Sequence, residues 1–146
     1  MPTAADSAGS FLEDLAVGQT ARYAKTVTEA DIVLFAGVSG DTNPVHLDQE
    51  FAAQTMFKGR IAHGMLSAGF ISTVLGTKLP GPGAIYLSQS LKFKAPVRAG
   101  DTVVARATVT AIAPEKRRVT LATTCQVGDT IVIEGEAVVM VPARAG

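Results

Sequence analysis

The segment 63–78 constrains the fold of this chain more than any other. Its apolar residues, Met65, Leu66, Ala68, Phe70, Ile71, Val74 and Leu75, fall almost all the way round a helix. A helix apolar on nearly every side must be buried on most of them. At 1.5 Å per residue it would span about 24 Å. Gly64, Gly69 and Gly76 each weaken it by about 1 kcal/mol relative to Ala. Tertiary packing therefore has to hold it, and the glycines permit close approach by neighbouring backbone. Pro80-Gly81-Pro82-Gly83 stops the helix, and the rest of the chain is strand-like. Residues 84–94, 103–113, 118–127 and 131–141 alternate in polarity, with turns at 95–101, 114–116 and 128–129. Short turns of this kind join antiparallel neighbours. One long buried helix and a run of antiparallel strands predict an α+β fold, a curved antiparallel sheet wrapped around a central helix.

The first half of the chain supplies shorter elements. Residues 1–10 are small and polar and predict a loose tail, and 11–18 form a lead-in to a strand over about 20–27. Thr28 followed three residues later by Asp31 is close to a capping box and starts a helix over 29–38, ended by Gly40. Pro44 pushes Asn43 out of helical space, so Gly40 to Leu47 must be a defined loop. Asp48 then caps a short helix through about Gln54. The domain organisation is a flexible 1–10, a single domain over 11–142 and a flexible 143–146.

Composition excludes several functions. Hydrophobic residues make up 47% of the 146, enough for one sizeable core. Thirteen basic residues balance thirteen acidic ones, so binding of nucleic acid through phosphate neutralisation is not expected. Cys125 is the one cysteine, which rules out an intramolecular disulfide, and its alternating neighbours predict a buried, inert thiol. Residues 1–10 lack the basic and apolar parts of a signal peptide. The apolar stretch 65–75 is short of the ~20 residues that cross a bilayer. A cytoplasmic protein without membrane contact is expected.

Chemistry-bearing residues gather at two places. Gly40-Asp41-Thr42-Asn43-Pro44-Val45-His46-Leu47-Asp48 puts a carboxylate, an amide and an imidazole into one turn. The second histidine, His63, lies in Gly59-Arg60-Ile61-Ala62-His63-Gly64-Met65, at the start of the apolar helix. With two histidines and no Glu/Cys cluster, no catalytic metal is expected. Ser72 lacks a nucleophile elbow.

The segments GDTNPVHLD, GRIAHGML and IYLSQSLKFKAPVRAGDTV resemble the MaoC-like dehydratases, and within them the (R)-specific enoyl-CoA hydratases. The likeness runs from about Val17 to Pro142. It implies a hot-dog fold, a homodimer, an acyl-CoA thioester as substrate, and no cofactor beyond the coenzyme A that the substrate carries.

Adding water to a trans-2-enoyl thioester needs a base, an acid and a site for charge on the thioester oxygen. Asp41 is expected to hold and deprotonate the water, with His46 orienting it and passing a proton to C2. The opposite allocation stays open, because two groups sharing one water titrate as a pair. The Gly64 N–H, at the start of the buried helix, is the expected oxyanion donor. Asn43 and His63 are supporting residues: Asn43 holds the loop, and His63 either caps the helix or anchors the loop. Ala68, Ile71, Ser72 and Leu75 are expected to line the acyl tail. Lys92, Lys94 and Arg98 are candidates for the coenzyme A phosphates, and Gln89 for the pantetheine arm. The function implied is reversible hydration of trans-2-enoyl-CoA to (R)-3-hydroxyacyl-CoA, which feeds polyhydroxyalkanoate or lipid synthesis. The alternatives are a 3-hydroxyacyl-ACP dehydratase, an acyl-CoA thioesterase and a non-catalytic acyl-CoA-binding protein.

Overall fold

The computed structural model describes residues 9–144, so of the tails expected at 1–10 and 143–146, residues 1–8 and 145–146 lie outside the described residues. Six antiparallel strands form one sheet: β1 (Thr20–Thr26), β2 (Ile85–Gln89), β3 (Lys92–Phe93), β4 (Thr102–Ala113), β5 (Arg118–Val127) and β6 (Thr130–Met140). Their order is β1-β4-β5-β6-β2, with β3 also pairing to β6. The helices are α1 (Glu29–Ser39), α2 (Pro44–Leu47), α3 (Gln49–Ala53) and α4 (Gly64–Thr77). α4 packs against β1, β4, β5 and β6. This is the hot-dog arrangement.

Period-two alternation builds the inner face of the sheet. Val103, Ala105, Ala107 and Val109 of β4 and Val119, Leu121 and Cys125 of β5 are fully buried. Ala105 and Ala107 leave room for Phe70, Ile71, Val74 and Leu75 of α4, which complete the core. Burying each of these larger side chains is worth about 1.5–3 kcal/mol.

Three expectations need correction. α4 is buried on one side only: Met65, Gly69, Ser72, Gly76 and Thr77 remain exposed, because a single sheet covers one face of a helix. A Cβ at Gly69 or Gly76 would meet nothing within 4 Å, so neither glycine serves a close approach within this chain. Second, the strand expected over 84–94 is divided at Ser90-Leu91. There the backbone presses onto Gly135 of β6, where any Cβ would collide with the Ser90 carbonyl oxygen. Third, the described ends of the tails are held. Gly9 and Ser10 donate to the carbonyls of Pro82 and Pro80 at 3.1 and 2.8 Å, and Arg144 pairs with Asp14 at 2.6 Å.

Candidate active site

Local sequence chemistry positions the loop that carries Asp41. Thr28 Oγ1 accepts from the Asp31 N–H at 3.1 Å, while the Asp31 carboxylate accepts from the Thr28 N–H at 2.9 Å. This reciprocal cap starts α1, and Lys25 secures Asp31 from β1 at 2.6 Å. α1 closes at Gly40, whose φ of 79° is left-handed and suits a residue without a Cβ. The chain then turns into Asp41. The Asp41 carboxylate accepts from the Asn43 N–H at 3.3 Å, and Asn43 Oδ1 accepts from the Val45 N–H at 3.1 Å. Asn43 therefore caps α2, and Pro44 follows at the first helical position, where its missing N–H is not needed, so the loop expected over 40–47 ends at Asn43 and the rest is a short helix.

This places His46 inside the protein and leaves Asp41 exposed. His46 Nδ1 lies 2.8 Å from the carbonyl oxygen of Ile61. A carbonyl can only accept, so Nδ1 carries the hydrogen, and in the neutral ring Nε2 keeps its lone pair. His63 is 2% exposed, and its Nε2 donates to the Asp41 carbonyl oxygen at 2.9 Å. Of the two roles open for His63, the structure gives it the loop anchor: its side chain makes no helix-capping hydrogen bond. Its Nδ1 is buried without a partner among the described residues. The two imidazoles stack with centroids 3.8 Å apart and planes 28° from parallel, and the Phe35 ring lies 4.7 Å from that of His63.

Asp41, His46 and His63 offer one ligand-type atom each, all within 4.8 Å of one another. The ring stack makes them a poor metal cage. Imidazole lone pairs lie in the ring plane, and in a near-parallel stack they run side by side. A bound ion needs them to converge at about 2.0–2.1 Å. The same spacing suits one water between Asp41 and His46.

Gly64 directly follows His63 and opens α4. Its N–H belongs to the first turn, which has no intrahelical partners and the positive end of the helix dipole. A Cβ here would lie 2.5 Å from the Phe93 ring, so this glycine does serve a close approach. The acyl-tail candidates divide. Ile71 is packed in the core, 1% exposed, and Ala68 is half-buried. Ser72 and Leu75 line a cavity of about 190 Å³ with Gly76, Ala84, Tyr86 and Val139.

Two of the three basic candidates are engaged elsewhere. Arg98 donates to the carbonyls of Phe57 and Arg60, and Lys94 pairs with Glu134 at 3.0 Å. Lys92 is exposed on β3. Gln89 donates to Thr123 Oγ1 at 2.8 Å and accepts from the Tyr86 hydroxyl, so its amide satisfies a buried hydroxyl. Phe93, Tyr86 and Arg60 lie against candidate site residues, and the sequence does not single them out. For Phe93 the signal is the glycine it covers; for Arg60 nothing local announces its partners.

The MaoC like domain model matches residues 14–136. The (R)-specific enoyl-CoA hydratase of Rhodospirillum rubrum is 66% identical over 134 residues, covering 92% of this chain and 93% of that protein. The 3-hydroxybutyryl-CoA dehydratase of Methylorubrum extorquens is 54% identical, covering 92% and 85%. Among solved structures, the (R)-hydratase from A. caviae involved in PHA biosynthesis superposes with a TM-score of 0.86 at 48% identity, covering 89% of this chain and 99% of that one. With a family model spanning most of its length and relatives this similar, the chain belongs to the MaoC-like domain family.

Proposed function

We propose that this protein is a hydro-lyase, an (R)-specific enoyl-CoA hydratase that reversibly converts trans-2-enoyl-CoA to (R)-3-hydroxyacyl-CoA. The observation that carries the reading is the approach of Asp41 and His46 to within 4.8 Å, with His46 Nε2 left free by the bond from Nδ1 to Ile61.

One water sits between the two side chains. Asp41 takes a proton as the water oxygen bonds to C3, and His46 accepts that proton at its free Nε2 and relays it to C2. The Gly64 N–H receives the thioester oxygen as its negative charge grows. The relay leaves Asp41 ionised and His46 Nε2 free again, so one water is consumed and no proton is left over. The reverse allocation balances equally well. The chemistry is acid–base throughout, and coenzyme A enters as part of the substrate. The cavity beside Ser72 and Leu75 suits the acyl tail. A second cavity, lined by Met56, Phe57, Phe93 and Pro96 among others, suits the pantetheine arm.

The reading includes a homodimer in the cytoplasm. Edge strand β2 exposes Ile85, Tyr86 and Leu87, and a second copy would cover them. Among the described residues, no helix is long and apolar enough to cross a membrane. The (R)-3-hydroxyacyl product is the type of monomer from which polyhydroxyalkanoates are made, in keeping with the likeness to the A. caviae hydratase.

The test follows loss of the enoyl absorbance of crotonyl-CoA, with chiral analysis of the product. Formation of (R)-3-hydroxybutyryl-CoA is expected. Activity confined to carrier-protein thioesters would favour the dehydratase of fatty-acid synthesis, and release of free coenzyme A would favour a thioesterase.

A further inference from the structure

Arg60 stands between the two ends of the segment that carries Asp41 and His46. Its Nε donates to the carbonyl oxygen of His46 at 2.7 Å, and its NH2 pairs with Glu29 Oε1 at 2.5 Å. Glu29 is the first residue of α1, and the His46 carbonyl lies in the last turn of α2. One guanidinium thus joins the start of α1 to the end of α2, with Asp41 in the loop between. The carbonyls of a four-residue helix have little intrahelical partnering, and a charged donor satisfies one of them strongly.

Arg60 is itself held. Its N–H donates to Gln49 Oε1 at 3.2 Å, and its carbonyl accepts from Arg98 NH1 at 3.2 Å. Arg98 also donates to Phe57 and has its own N–H bonded to Asp101 at 2.9 Å. Gly59 leaves the space for this second guanidinium: a Cβ there would lie 3.2 Å from Arg98 NH1. The connection therefore runs from the loop before β4, through Arg98 and Arg60, to the main chain of His46. The next residue, Ile61, fixes the ring of His46 through Nδ1, so neighbouring residues hold that histidine by main chain and side chain alike.

We infer that Arg60 is a positioning residue for the reaction, a clamp that sets the distance between Asp41 and His46 through Glu29 and the His46 carbonyl. The clamp rests on the reading of those two residues as the acid–base pair. It requires a planar fork, since two different donors of one group point at a carbonyl and a carboxylate at once. A lysine ammonium keeps the charge but not that geometry.

Arg60→Lys, Arg60→Ala and Glu29→Gln are assayed with crotonyl-CoA beside the wild type and His46→Ala. Misplacing a catalytic group by about 1 Å lowers turnover by about 10²-fold. Arg60→Lys is therefore expected to lose about that much kcat, with KM and melting temperature close to wild type. Arg60→Ala should lose more, and added ethylguanidinium, unlike ethylammonium, should restore part of it. Glu29→Gln should show a smaller loss, again in kcat. Wild-type kcat in Arg60→Lys while His46→Ala is inactive overturns the clamp alone. A full rate in His46→Ala overturns the reading of the site and the clamp with it. If Arg60→Ala fails to fold, Arg60→Lys and Glu29→Gln decide: unchanged kcat in both overturns the clamp. A kcat loss matched by a fall in melting temperature, with no guanidinium rescue, also overturns it.

Discussion

The imidazole of His46 stacks on that of His63, centroid to centroid at 3.8 Å, and the two rings hold opposite ends of one loop. His46 is tied to Ile61, seated just before His63, while His63 reaches back to the carbonyl of Asp41. Each histidine thus donates to the segment that carries the other. The start of α4 and the loop after α1 form one unit, which holds Asp41 by its carbonyl and His46 by its ring, alongside Arg60's hold on the His46 main chain.

Asp41→Asn and His46→Ala should each lower hydration of crotonyl-CoA by about 10²–10⁴-fold, the usual worth of acid–base assistance. The Asp41 side chain is exposed, so the melting temperature of Asp41→Asn should stay near that of the wild type. A rate within a few-fold of wild type in either variant would remove that residue from the mechanism.

Replacing His63 by Leu separates its anchoring role from direct chemistry. The variant fills the buried space but leaves the Asp41 carbonyl without its donor, at a cost of about 1–3 kcal/mol. Thermal denaturation should show that loss, and kcat should fall less than in His46→Ala. Equal falls in the two variants would place His63 in the proton transfers themselves.

How far the sequence anticipates this site depends on how local each determinant is. The Thr28–Asp31 cap is chemistry between residues three apart and is legible in the order of the residues alone, whereas the short helix that Asn43 and Pro44 start lies where the sequence predicts a loop. The exposed side of α4 is not legible either, because apolar residues around a helix do not say which of them a sheet will cover. The break between β2 and β3 is equally hidden. It depends on Gly135 meeting Ser90, two positions whose contact exists only once β6 is paired. Arg60 falls in the same class, since Glu29 and His46 become its neighbours through the path of α1 and α2.

Gly64→Ala should reveal the contact with Phe93. The added methyl needs the space that the ring occupies, so the ring must shift. The single variant should lose stability and activity. Adding Phe93→Ala should recover part of the stability, so that the double variant is less impaired than the sum of the singles by about 0.5–3 kcal/mol, the range seen for residues in contact. Strict additivity in melting experiments would mean that the two positions do not touch.

Cys125 should be silent toward thiol reagents in the folded protein. It is fully buried, its Sγ lies 3.4 Å from the Ser67 carbonyl oxygen, and burial pushes its pKa up to about 12. At neutral pH almost no thiolate forms, and the thiolate is the reactive species. Labelling should therefore follow unfolding, with denaturant raising the rate in step with loss of structure. Rapid labelling of native protein would show that the core between β5 and α4 opens.

Asp31 makes stability dependent on pH in a definite direction. The Lys25 ammonium, and then the Thr28 N–H, hold its carboxyl below the ordinary value of 3.8. A group whose folded pKa is depressed stabilises the fold in its ionised form. That contribution is complete above pH 3.8 and disappears as pH falls through the lower folded value. Asp31→Asn should thus be less stable than wild type at neutral pH. The combined helix-start and ion-pair effects are worth about 1 kcal/mol after solvent screening. Below pH 3.8 the two melting temperatures should converge as wild-type Asp31 takes up its proton. Salt should narrow the neutral-pH gap as well, since part of it comes from a partly exposed ion pair. A gap that stayed constant down to low pH would show that the substitution acts through packing rather than charge.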